Sequence, residues 1–302
     1  MARDDDATEV AGVRLTHPDR VLYPEQGITK RELAEYYAAA AERMLPHVRG
    51  RPLTLVRCPS GENAQCFYQR RAGRGTPRAL GRVKVPVEGE EETYLVADSL
   101  AALLSLVQMG TLEVHVWGAR RDRLDRPDRL ILDLDPAEGV PWAAVVAAAK
   151  EVRERLAAVG LESWVKTTGG KGLHVVAPLV RRSGWEEARE FARGVAEAMV
   201  RDAPDRYLTS ASKEEREGKT YVDYVRNSWS ASAVAPYSTR SRPGAPVSFP
   251  LPWDALTADT APGDFTVRTA PGLLRSRPDP WAGMEETSQG LTKAVWAKLR
   301  KG

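Results

Sequence analysis

Apolar positions along this chain fall into short blocks whose period switches between that of a helix and that of a strand. Thr29 and Glu32 form a capping box, and Ile28 can staple to Leu33, so the spacing predicts a helix through Tyr36 and Tyr37 to about Met44. Arg51–Arg57 reads as a strand. The stretch from Pro59 to Arg82 has little period and many Gly and Arg residues, which predicts loop. Leu100, Leu103, Leu104 and Val107 keep helical spacing from about Asp98. Leu112–Trp117 alternates, which places Glu113, His115 and Trp117 on the face opposite a buried Leu/Val face.

Further strands are predicted at Arg129–Leu134, Glu162–Lys166, Gly172–Ala177 and Thr220–Arg226. Helices are predicted from Pro141 to the Gly160 stop, and from Ser183, boxed with Glu186, to about Arg201. A Pro/Ser/Arg-rich segment covers 227–250, and a short helix is expected near 290–300. This order predicts a mixed α/β (α+β) fold with a mixed or antiparallel central sheet flanked by helices, not a doubly wound one. Residues 1–10 read as a disordered lead-in, and 11–302 as one domain of two intimately packed modules.

With 42% hydrophobic and 28% charged residues over 302 positions, the composition is that of a soluble globular chain. The acidic start MARDDDATEV carries no secretory pattern, and the apolar runs are too short to span a membrane. Cys58 and Cys66 make no CxxC pair, which argues for a reducing cytosol and against a disulfide framework or zinc ribbon. The net charge of +3 conceals a strong asymmetry. Ten basic residues and one acid, Glu62, lie between Arg43 and Lys84. Most basic residues are arginine, which suits bidentate phosphate recognition.

Candidate chemistry centres on Asp133-Leu134-Asp135. On a strand both carboxylates point to one face, where they repel unless a cation lies between them. Mg²⁺ or Mn²⁺ suits such hard oxygens, while a strand-end turn into Pro136 is the structural alternative. Asp223, one acid in the apolar run Tyr221–Val225, needs a partner: a metal shared with Asp133 and Asp135, or a salt bridge with Arg226. Three carboxylates around two cations is the arrangement used for in-line phosphoryl transfer. Thr168-Gly169-Gly170-Lys171-Gly172-Leu173-His174 can bring backbone amides and two donors to an anion, or can be a hairpin turn. Lys30 follows the Thr29 cap. With Arg20 it makes a phosphate site at a helix N-terminus, or else a pair of solvated charges. Phe67 and Tyr68 lie among arginines, as base-stacking surfaces do, and as a core aromatic pair also could.

Together these stretches resemble the polymerase domain of bacterial DNA ligase D, in the archaeo-eukaryotic primase superfamily. LTHPDRVLYPEQGITK, MLPHVRGRPLTLVRCPSG, LDLDP, TTGGKGLHVVAPL, GKTYVDYVRN and AVAPYSTRSRPGAPVS carry the resemblance, in family order, from about residue 13 to residue 255. It implies a primase-polymerase catalytic core. Asp133, Asp135 and Asp223 match its metal-binding catalytic triad. His115, Thr168, Lys171, His174, Arg226 and Arg240 match nucleotide-binding positions. Arg20 and Lys30, with His17 beside them, match the recognition of a DNA 5′-phosphate, and Phe67 and Tyr68, with Arg57, match DNA-binding positions. Thr168 stands where serine is usual, Arg20 where lysine is frequent, and Tyr68 where phenylalanine is frequent. The chain after Gly73 matches poorly.

The resemblance further implies a DNA-dependent, ribonucleotide-preferring nucleotidyltransferase acting at gaps or double-strand breaks in non-homologous end joining, with two Mn²⁺ (or Mg²⁺) ions. Implied partners are DNA with gaps or broken ends, NTP or dNTP, Ku and a separate DNA ligase. The implied setting is cytoplasmic and nucleoid-associated, without a membrane, as a monomer. Because 302 residues leave no room for ligase and nuclease domains, a stand-alone version is expected. A non-catalytic end-bridging module and a primer-making primase remain the competing readings.

Overall fold

The computed structural model describes residues 7–212 and 214–301. The chain divides into two compact units, each assembled from separated stretches. The first unit takes the residues up to Trp117, with Val234–Ser248 and Gly263–Asp279. In it β1 (Ala7–Val10) pairs with β2 (Val13–Thr16), so the expected disordered lead-in is corrected from Ala7 onward; its first six positions lie outside the described residues. β3 (Val21–Tyr23) pairs with β4 (Ile28–Thr29) and leads into α1 (Lys30–Val48). The Thr29–Glu32 capping box forms as expected, and Leu33, Tyr36, Tyr37, Ala40 and Met44 are buried along one stripe. The tyrosine hydroxyls are satisfied inside the unit: Tyr36 donates to the Tyr237 carbonyl at 2.7 Å, and Tyr37 meets Thr239 at 3.0 Å.

A sheet of this unit runs in the order β6 (Phe67–Gln69), β5 (Leu53–Arg57), β9 (Thr111–Trp117). The stretch expected to be loop contains β6 and the start of a hairpin, β7 (Gly81–Val87) with β8 (Glu90–Val96). Helix α2 (Leu100–Gln108) follows and packs against α1. Pairing of Arg57 with Phe67 brings the next two residues face to face, and Cys58 and Cys66 are disulfide-bonded. The reading of the cysteines against a disulfide is therefore corrected. Their spacing says nothing until strands β5 and β6 are in register.

The second unit takes Gly118–Ala233, Phe249–Pro262 and the chain from Pro280 onward. Its six-stranded sheet has the order β13 (Tyr207–Leu208), β14 (Thr220–Asp223), β10 (Arg129–Pro136), β12 (Leu173–Pro178), β11 (Trp164–Thr167), then Pro250–Leu251. Only β13 and β14 pair in parallel, so the sheet is mixed, as the element order predicts. Helices α3 (Trp142–Val159) and α4 (Trp185–Asp202) pack on β10 and its neighbours. Gly160 stops α3 in the left-handed region, with φ +92°. Two boundaries differ from expectation. Gly184, not Ser183, caps α4, without a side-chain bond. β14 ends at Asp223, where a 3₁₀ turn at Val225–Asn227 takes over. That turn is fastened by the buried Asn227 amide, which donates to the Ile131 carbonyl and accepts from its N–H. Among the described residues no helix is long and apolar enough to cross a membrane.

Candidate functional site

In the second unit, strand register assembles a polar row across the sheet. Asp133 lies directly opposite Asp223 on one side and His174 on the other, and His174 lies opposite Lys166. Directly opposed residues share a face, so Asp223, Asp133, His174 and Lys166 stand side by side over four strands. The intervening Leu132 and Leu134 are buried on the other face. Arg226, on the Asn227-pinned turn, brings its Nε to 3.1 Å from Oδ2 of both Asp133 and Asp223. His174 Nε2 lies 3.2 Å from Asp133 Oδ1.

These contacts separate the two carboxyls. Burial works to raise Asp133, but His174, Arg226 and Lys166 outweigh it and hold the group well below the ordinary carboxylate range. Asp223 moves up, because burial and the Asp133 charge exceed what Arg226 returns. Burial and the Lys166 ammonium push His174 down to about 4, so its ring is neutral at neutral pH and its Nε2–H donates to Asp133.

The third predicted carboxylate stands apart. Asp135 is exposed and accepts from Arg216 Nη1 at 3.0 Å, and the Arg216 guanidinium lies 4.2 Å from the Tyr221 ring centroid. Among the described residues no group of three His, Cys, Asp or Glu side chains is arranged to hold a metal ion. Asp133 and Asp223 nevertheless fit a cation. The space between them is already taken by a positively charged nitrogen equidistant from both, and both offer hard oxygens.

The loop after β11 lies tight against β10. A Cβ on Gly172 would fall 2.3 Å from the Leu134 carbonyl oxygen, so only glycine allows this approach between the two aspartates of β10. Thr168 is buried and its hydroxyl donates to the Gly172 carbonyl at 3.1 Å, which closes the loop, while Lys171 stays exposed. The stretch is thus a pinned turn that presents a lysine.

The other nucleotide candidates, His115 and Arg240, belong to the first unit. A buried carboxylate joins them. Glu113 Oε2 lies 2.8 Å from His115 Nε2 and 3.0 Å from Arg240 Nε, while its Oε1 accepts from both the amide and the hydroxyl of Ser241 at 2.9 Å. Burial tends to raise this carboxyl, but these partners take it down to about 2. Sequence reasoning passed over Glu113, Lys166 and Arg216. The signal for Glu113 was the one used for Asp223: an acid inside an apolar strand.

His17, Arg20 and Lys30 also come together in the first unit. His17 takes a left-handed turn conformation, φ +53°, and its carbonyl accepts from the Arg20 amide. Lys30 is buried, with its ammonium donating to the Thr16 carbonyl at 2.8 Å. Burial and the neighbouring Arg20 guanidinium lower it to about 8. The expectation of free amides at the start of α1 is corrected. Lys30 N–H donates to the Arg20 carbonyl, Arg31 N–H to that of Pro18, and Glu32 N–H to the Thr29 hydroxyl. A phosphate here would meet side chains, not the helix end.

Phe67 and Tyr68 are exposed on β6, at 44% and 75%, so they are surface rings and not a core pair. Arg57 is engaged internally. Its guanidinium donates to the Met109 carbonyl and Gln69, and lies 5.2 Å from the Phe67 ring centroid.

The family model described as the LigD primase-polymerase domain matches residues 29–281. The multifunctional non-homologous end joining protein LigD of Pseudomonas aeruginosa is 37% identical over 294 residues, covering 97% of this chain and 35% of the relative. The LigD protein of Mycobacterium tuberculosis is 37% identical over 252 residues, 81% of this chain and 33% of the relative. The chain therefore spans about a third of the length of these relatives. A solved structure, the polymerase domain of Mycobacterium tuberculosis ligase D in complex with DNA, superposes with a TM-score of 0.86 at 32% identity. That match covers 91% of this chain and 98% of the other, so the two share the mixed α/β fold.

Proposed function

The chain belongs to the LigD primase-polymerase family, and from that premise we propose that it is a DNA-dependent nucleotidyltransferase that extends a DNA 3′-hydroxyl. The observation that carries the reading is the facing Asp133–Asp223 pair, bridged by one cationic nitrogen at 3.1 Å from each. Asp133, Asp223 and, once released from Arg216, Asp135 would hold two Mn²⁺ or Mg²⁺ ions. Such ions supply charge neutralisation at the reacting phosphate and acidify the attacking hydroxyl.

The residues of the chain account for binding and orientation. Thr168 and Lys171, on the pinned loop, and His174 receive the phosphates of the incoming nucleotide, together with Arg226. His115 and Arg240 contribute further nucleotide contacts. The 3′-oxygen attacks the α-phosphorus in line, the bond to the β-phosphate oxygen breaks, and pyrophosphate leaves. Arg20, Lys30 and His17 recognise the 5′-phosphate across a gap, and Phe67 and Tyr68 stack against bases. The setting is repair of gaps or double-strand breaks by non-homologous end joining, with ribonucleotides preferred and with Ku and a ligase as partners. The named function of the similar LigD proteins and the DNA held by the similar solved domain support this setting.

Primer extension on a gapped duplex tests the proposal. Asp133→Asn keeps the shape of the side chain and removes the charge, so extension should fall by at least about a thousandfold while DNA affinity holds. Undiminished extension would overturn the polymerase reading and favour an end-bridging module.

A further inference from the structure

We infer that Glu113 is a positioning residue, which sets the His115 and Arg240 side chains for the nucleotide phosphates; this rests on the nucleotide-contact reading above. Three observations carry it. Glu113 is 5% exposed, yet both of its oxygens are engaged, one by the two candidate nucleotide residues and the other by Ser241. Arg240 is fixed at its backbone as well: its N–H donates to the Pro246 carbonyl at 2.9 Å, and its own carbonyl accepts from the Tyr23 hydroxyl at 2.9 Å. The Arg240 and His115 side chains remain 15% and 18% exposed, so both keep some access to solvent beside a buried anion.

An arginine side chain surrenders much rotamer freedom when it grips a ligand. Here the cost is met on folding, because the Glu113 carboxylate holds the guanidinium in place beforehand. The same carboxylate, as an acceptor, dictates which ring nitrogen of His115 carries the proton beside it. Simple electrostatics points the other way. A negative charge behind a phosphate site repels the phosphate, so its removal should tighten nucleotide binding. The two effects differ in sign, and that makes the role testable.

Glu113→Gln is the informative substitution. Its amide oxygen can still accept from Ser241, while its NH₂ faces the Arg240 Nε–H, which it cannot satisfy, and His115 Nε2, which it can meet only if that ring changes tautomer. Nucleotide KM and kcat would be measured on a gapped primer, with DNA affinity and thermal melting alongside. Positioning predicts a rise of about tenfold in nucleotide KM with DNA affinity unchanged, and the effect should shrink in an Arg240→Ala background, where only His115 remains to be positioned. Glu113→Asp keeps the charge but draws it back by one methylene. It should raise KM as well, and it stands in if Glu113→Gln fails to fold. A lowered or unchanged KM, or an equal rise with and without Arg240, would overturn the positioning role. An Arg240→Ala variant with wild-type KM would instead overturn the nucleotide-contact reading beneath it.

Discussion

Replacing Lys30 by methionine sets two buried effects against each other. Lys30 is 5% exposed as a residue, and its ammonium sits at about 8 instead of 10.5. Holding it charged at neutral pH therefore costs about 3 kcal/mol. Its hydrogen bond to the Thr16 carbonyl, at 2.8 Å, would be lost in the variant, at about 1–3 kcal/mol for an acceptor left dry. Methionine has similar length and no charge, so the two effects roughly cancel and the melting temperature should move by only a few degrees. The stability contribution of lysine itself has a definite sign. Between pH 8 and 10.5 the unfolded chain binds more protons at this position, so wild-type stability gains across that window as pH rises. DNA binding should respond quite differently. A charge-assisted contact to a 5′-phosphate is worth about 1.5–3 kcal/mol, or about ten- to a hundredfold in affinity. Anisotropy titrations on gapped duplexes, phosphorylated or not and at fixed salt, give the ratio directly. Wild type should prefer the phosphate by at least that factor, and the preference should start to fall once pH passes about 8. Lys30→Met should show a preference smaller by that factor and no fall above pH 8, the remainder coming from Arg20 and His17. A variant that keeps the full ratio would refute the assignment of this ammonium to the phosphate.

Two further perturbations probe the supports of the site. Cys66→Ser opens a disulfide loop that starts at Cys58, and chain entropy for so short a loop gives a loss of about 2–3 kcal/mol, read as a lower denaturant midpoint. Wild type under reductant should match the variant, and a variant as stable as oxidised wild type would argue against the bond. Gly172→Ala places a methyl 2.3 Å from the Leu134 carbonyl oxygen, so the 168–172 loop must retreat from β10. Primer extension should fall by about tenfold or more with melting lowered by a few degrees, and normal extension would mean the close approach is dispensable.

Local signals in the chain are reliable where the cause is local. The Thr29–Glu32 box, the Gly160 stop and the alternation around Asp133 need only neighbours within a few residues, and all three appear as read. The partnership of Asp223 was inferable too, because a carboxylate in an apolar strand demands a counterpart. Of the two counterparts foreseen, the Arg226 ion pair forms, and Asp133 lies opposite Asp223 across the sheet. What the sequence could not reveal depends on register between distant strands. Nothing near Asp135 announces Arg216, eighty-one residues on, which holds that carboxylate away from its two companions. Likewise the amides at the start of α1 looked open because their acceptors, the Arg20 and Pro18 carbonyls, reach them through a turn ten residues or more upstream.

The basic stretch shows how the same limit applies to charge. Counted along the chain, its ten cations suggest a continuous wall for a polyanion. In three dimensions they divide by what they touch. Arg43, Arg49, Arg51 and Arg57 turn guanidinium groups onto backbone carbonyls, where they tie segments together. Arg71 meets Glu92 of β8 from outside the hairpin and Lys84 meets Glu91 across it, so acids just beyond the counted stretch cancel them. Arg70, Arg74, Arg78 and Arg82 remain exposed. One of the arginines occupied with carbonyls is nonetheless part of the surface argument. Arg57 lies 5.2 Å from the Phe67 ring centroid and steadies that ring. A linear count of charge therefore overstates the number of phosphates this region can meet, and misses that Arg57 serves instead to hold the Phe67 ring where a base could stack on it.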